Sequence, residues 1–147
     1  KEELMEYAKE LGISRQLVLL DAVAPDELRA VYLEHDVLVL PSNREAIGMV
    51  VPEAMACGVP TITSKAVGAN TYVEEGVTGF VFDTGNANEL ADKLAKIAKP
   101  RVAQKMGEAA AKVIQEKYTK EILGERLLAA LSTDAERRVV SVGEKEE

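Results

Sequence analysis

Short unbroken apolar runs alternate along this chain with stretches whose apolar residues recur every three or four positions. Val37-Leu38-Val39-Leu40 is the clearest run, the pattern of a strand buried on both faces, as in parallel sheets. Leu17-Val18-Leu19-Leu20 reads as a second buried strand, and β-branched residues over 59–63 lead into a third. Gly76-Val77-Thr78-Gly79 reads as a turn into a further short strand, Phe80-Val81-Phe82. Helical spacing places Leu4, Met5, Ala8 and Leu11 on one face over residues 1–11, with Gly12 as terminator. A second helix is expected over 26–34, with Leu28, Val31 and Tyr32 inward. Further helices follow Asn86 or Asn88, either of which can cap, then run over 102–117 and beyond Thr119. Strand followed by helix, repeated, predicts an α/β fold: a Rossmann-like parallel sheet flanked by helices, with right-handed crossovers.

At 147 residues the chain is long enough for one real core, expected over 1–131, with a charged, flexible tail over 132–147. The charge of −7 argues against nucleic acid as a partner but leaves room for an anion in a local pocket. No stretch reaches the ~18 apolar residues of a membrane span, and no signal-peptide pattern opens the chain. One cysteine, Cys57, excludes an internal disulfide and is expected to pack as a small core residue in a cytoplasmic protein. The single histidine, His35, has no metal or catalytic partner in the pattern and reads as structural.

Candidate chemistry concentrates in residues 36–63. After the strand, Pro41, Ser42 and Asn43 stop the run, and Gly48 marks a turn or a close approach. Residues 49–57 are helix formers with Pro52 in the opening turns; Gly58 and Pro60 end the helix. Such a helix begins just past the carboxyl end of a buried strand, where open α/β sheets bind ligands. Glu45 and Glu53, with seven residues between them, flank that helix start. Free N–H groups around Gly48, Met49 and Val50 suit a phosphate, and a carboxylate on each side suits hydroxyl-bearing groups. That is the chemistry of a nucleotide sugar. Two solvated carboxylates favoured by the helix dipole would give the same spacing. Gly68, in the loop after the next strand, either lets a ligand approach or simply serves the turn.

The phrase Pro41-Ser42, Glu45, Gly48, Glu53-Ala54-Met55-Ala56-Cys57-Gly58-Val59-Pro60 closely resembles the E-x7-E signature of retaining GT-B glycosyltransferases. The resemblance continues through Gly68 and Glu75-Gly76-Val77-Thr78-Gly79-Phe80 and covers residues 1–131. It implies the donor-binding, C-terminal half of such an enzyme, transferring a hexose from a nucleoside diphosphate sugar to an unknown acceptor. Glu53 is then the residue on the ribose hydroxyls, and Glu45, the catalytic candidate, lies by the donor sugar. Backbone contacts fall to Ile47, Gly48, Met49 and Val50, with no metal or other cofactor.

The resemblance further implies that an N-terminal acceptor domain, a first strand with its glycine-rich turn, and a basic Arg/Lys pair precede Lys1. The 147 residues alone are therefore expected to be inactive. An uncovered sheet edge is expected to favour a homodimer, strand exchange or marginal stability, and the full-length enzyme is expected at membrane surfaces. Arg44 and Lys65 read as solvated charges rather than as substitutes for the basic pair. There are departures from the family pattern: Val67-Gly68-Ala69-Asn70-Thr71 lacks the usual second glycine and glutamate, Ile47 replaces an aromatic residue, and Asp21 replaces a glycine. The rival expectation is a stand-alone, non-catalytic module that binds nucleotide or protein through the same face.

Overall fold

In a computed structural model, the backbone is described for residues 1–143 and the side chains for residues 1–131. The expected tail over 132–147 falls on residues whose side chains lie outside that described set. Three parallel strands form one sheet in the order β1 (Leu38–Leu40), β2 (Thr61–Ser64), β3 (Gly79–Phe82). Register pairs Val39 with Ile62 and Ile62 with Phe80. Around them run α1 (Glu2–Glu10), α2 (Leu28–Leu33), α3 (Val50–Ala56), α4 (Ala87–Ile97), α5 (Pro100–Lys117) and α6 (Lys120–Gly143). The parallel α/β architecture is as the alternation of patterns predicts.

Residues of β1, the edge strand, are half-buried rather than fully buried, and they divide between two apolar clusters, one on each face of the sheet. Leu38 and Leu40 pack with Val51, Met55, Val67, Ala69 and Ala110, while Val39 packs with Ile62, Phe80, Phe82, Ile97 and Met106. Every residue of the central strand β2 is buried. Helix α5 lies so close to the end of α3 that a Cβ on Gly107 would stand 1.9 Å from the Gly58 carbonyl oxygen. Glycine is the residue that permits this crossing.

Two expectations need correction. Leu17–Leu20 is not a strand: Val18 and Leu20 are 76% and 58% exposed, and the sheet ends at β1. An apolar run becomes a strand only where a neighbour accepts its ladder of hydrogen bonds, and none of the described residues does so here. The connection from β2 to β3 holds no full helix, only a single 3-10 turn, Gly68–Tyr72. Elsewhere the alternatives close. Asn86 caps α4, its side-chain oxygen accepting from the Glu89 N–H at 3.1 Å. Cys57 is half-buried against the cluster of Tyr32, Ala54 and Val59. His35 sits at the end of α2 with Nδ1 2.6 Å from the Val31 carbonyl.

Candidate functional site

The carboxyl end of β1 leads through residues 41–49 into the first turn of α3, and each part of this loop is held from below. Glu45 lies beside Val67 in a parallel bridge; its N–H donates to the Ala66 carbonyl at 3.2 Å, and its own carbonyl accepts from Gly68 N–H at 2.9 Å. Gly68 is there for backbone contact rather than for a ligand: a Cβ would stand 2.0 Å from the Ala46 carbonyl oxygen. Gly48 takes a left-handed φ of 71°, and a side chain on it would press on Val67 and Leu40. Below this, Thr63 Oγ1 donates to Asn70 Oδ1, Asn70 Nδ2 donates to the Ser64 carbonyl at 3.0 Å, and Ser64 Oγ donates to the Ser42 carbonyl. Both loops are thus tied to the end of β2.

The two glutamates do flank the start of α3, but neither is idle. The Glu45 carboxylate accepts the N–H groups of Ile47 at 3.3 Å and Gly48 at 3.1 Å. Gly48 N–H, expected to be free, is therefore engaged by the protein's own anion. The N–H groups of Met49 and Val50 find no acceptor among the described residues, as the opening turn of a helix without a side-chain cap requires. The side chains of Ile47 and Met49 are 61% and 54% exposed. Glu53 lies in the first turn of α3 and is exposed.

Its carboxylate accepts a hydrogen bond from Tyr32 Oη at 2.9 Å, an anchor that the sequence pattern did not reveal. Tyr32 reads from spacing as one more apolar position on the inner face of α2, and its ring does pack there. Burial first, then the hydrogen bond to Glu53, raises its hydroxyl from the ordinary value of 10.0 to about 12. The fold therefore holds this proton more tightly than the unfolded chain does. The resulting stability is complete below pH 10 and is lost as pH rises through about 12. Urea midpoints measured across that window are expected to fall less steeply for Tyr32→Phe than for the parent chain; parallel curves would show that the shift is not there.

Arg44 is exposed and has no ion pair among the described residues. Lys65 is paired with Asp83, and this partner holds its ammonium above the usual lysine value. Neither arrangement supplies a built cation at the helix start. Among the described residues no group of three or more His, Cys, Asp or Glu side chains is placed to hold a metal, and no helix is long and apolar enough to cross a membrane.

A parallel α/β sheet with a polar loop and helix start at its carboxyl edge has the place where open α/β sheets bind ligands. Residues 1–113 match the model of the family described as glycosyl transferases group 1, and the chain belongs to that family. D-inositol 3-phosphate glycosyltransferase of Corynebacterium jeikeium (strain K411) is 38% identical over 96 residues, 65% of this chain and 23% of that protein. The enzyme of the same name from Rhodococcus erythropolis is 34% identical over 108 residues, 72% of this chain and 24% of that protein. This chain thus spans about a quarter of the length of these curated relatives. Among solved structures it resembles sucrose-phosphate synthase from Thermosynechococcus elongatus (TM-score 0.79, 27% identity, 91% of this chain and 34% of that one). It also resembles Anabaena Alr3699/HepE in complex with UDP (TM-score 0.80, 26% identity, 90% and 36%). The GT-B likeness stated from the sequence is borne out by these neighbours.

Proposed function

We propose that this chain supplies the donor side of a retaining glycosyltransferase, binding a nucleoside diphosphate sugar at the first turn of α3. The observation that carries this reading is the arrangement of that turn in a member of this family. Two backbone donors without partners, Met49 and Val50 N–H, lie between two carboxylates that the protein holds in place. The donors and the helix dipole suit the diphosphate. Glu53 is assigned to the ribose hydroxyls and Glu45 to the hexose side, where it serves as the catalytic candidate; the Ile47 and Gly48 N–H groups hold the Glu45 carboxylate in place there instead of binding the ligand themselves. Positioning and phosphate stabilisation would supply most of the rate, without a metal or other cofactor, in a cytoplasmic enzyme. In this reading the acceptor-binding site and the rest of the catalytic machinery lie in other residues of a longer protein, as the greater length of the relatives supports, so these residues alone transfer no sugar. HepE is solved with UDP and with UDP-glucose, which supports uridine diphosphate as the first probe.

Glu53→Gln keeps size and helix propensity but removes the charge that strengthens hydrogen bonds from the ribose. It is expected to weaken nucleoside diphosphate binding about tenfold, equivalent to ~1.4 kcal/mol, in calorimetric titrations with UDP, GDP and ADP. Glu45→Gln is expected to matter less for the bare nucleotide and more for the nucleotide sugar. Equal binding by parent and Glu53→Gln sinks the ribose assignment, and a reversed ranking sinks the direction of the ligand. Binding that ignores both glutamates favours the rival, non-catalytic module.

A further inference from the structure

We infer that Tyr32 is a positioning residue of the donor site, its hydroxyl holding one oxygen of the Glu53 carboxylate so that the other faces the ribose. The inference rests on the assignment of Glu53 to the ribose and extends it to a second helix. Glu53 is exposed, and a solvated glutamate samples many rotamers. Among the described residues its carboxylate has one side-chain partner, the Tyr32 hydroxyl donating to Oε2 at 2.9 Å. The donor is fixed where the acceptor is not. The Tyr32 ring is buried with Ala54 and Val59 and is packed by Leu28, Leu38 and Cys57. Leu38 belongs to β1 and Ala54 to α3, so the hydroxyl stands in register with both elements that frame the helix start. A phenol facing a carboxylate can only donate, and a tyrosine hydroxyl is protonated at any pH near neutral. One Glu53 oxygen is thereby committed, which leaves Oε1 as the acceptor open to a diol.

Tyr32 could instead be a core residue whose hydroxyl merely finds an acceptor at the surface, and the two roles differ in what they do to ligand discrimination. Tyr32→Phe keeps the buried ring, and the carboxylate it releases is exposed and returns to water, so the fold survives the change. The probes are UDP, GDP or ADP, whichever binds the parent chain best, and the 2′-deoxy form of the same diphosphate. In calorimetry, Tyr32→Phe is expected to weaken the ribonucleotide three- to tenfold and leave the deoxynucleotide within about twofold, so the preference for ribose shrinks. In a Glu53→Gln background the same change is expected to add less than twofold. Loss of affinity by Glu53→Gln with none by Tyr32→Phe overturns the role of Tyr32 and leaves the ribose assignment standing. Equal losses for the two nucleotides, or a full extra loss in the Glu53→Gln background, also overturn it. If neither variant changes binding, or the parent chain binds no probe, the donor-site reading fails and Tyr32's role with it.

Discussion

Gly68→Ala is expected to destabilise the fold by about 3 kcal/mol and to weaken donor-sugar binding at the same time. The added Cβ would stand 2.0 Å from the Ala46 carbonyl oxygen and 2.9 Å from its carbon. That obstacle is backbone, so no side chain can swing aside. The loop 41–49 must move, and with it the 2.9 Å bond from Gly68 N–H to the Glu45 carbonyl that fixes Glu45 beside Val67. Gly76→Ala is the control: its φ is +75°, but open space surrounds it, so only backbone strain of ~1 kcal/mol applies. Chemical denaturation of both variants, with nucleotide-sugar titration of the folded proteins, checks this. Equal costs at the two glycines would mean that the contact with Ala46 relaxes freely.

Met55→Ala is expected to cost ~2–4 kcal/mol and to lower Tm by roughly 10 °C. Met55 is 0% exposed and packs where α3 meets Ala69 of the 3-10 turn and Ala110 of α5. Its truncation leaves a cavity among residues that are small or pinned to the sheet, so little can collapse to fill it. On α3 it points away from Glu53, two positions earlier and about 200° round the helix. The folded fraction should therefore bind nucleoside diphosphate within about threefold of the parent, in contrast to Gly68→Ala. Differential scanning calorimetry with and without nucleotide separates the two effects; a Tm change below about 3 °C would show that this seam is loosely packed.

Where sequence reading and structure agree, local chemistry and tertiary packing point the same way. Val37 to Leu40, Pro52, Gly58 and Pro60 bracket a strand and a helix whose limits depend on backbone rules alone, and β1 and α3 lie where those rules put them. Leu17–Leu20 shows the limit of such rules, because apolar content registers a wish to be buried and not the presence of a partner edge. Gly68 was open to two readings, and only the approach of Ala46 from another loop decides between them. Tyr32 was legible as core but not as an anchor, since its acceptor lies 21 residues away and pairs through one polar atom on a largely apolar ring. Glu45's bonds to Ile47 and Gly48 were hidden for a related reason: the same spacing describes a carboxylate that waits for a ligand and one that already caps its own loop.

The strand order β1-β2-β3 repeats the order of synthesis. Among the described strands none has to be threaded between two that are already paired, so each can add beside the one made just before it as the chain leaves the ribosome. Parallel pairing is slow when it must close long loops, and here each closure spans only the segment just made. On this route α3, carrying Glu53, packs down as soon as β2 arrives. The part of the molecule read as holding the nucleotide then completes its packing only when Gly107 and Ala110 of α5 close over Gly58 and Met55.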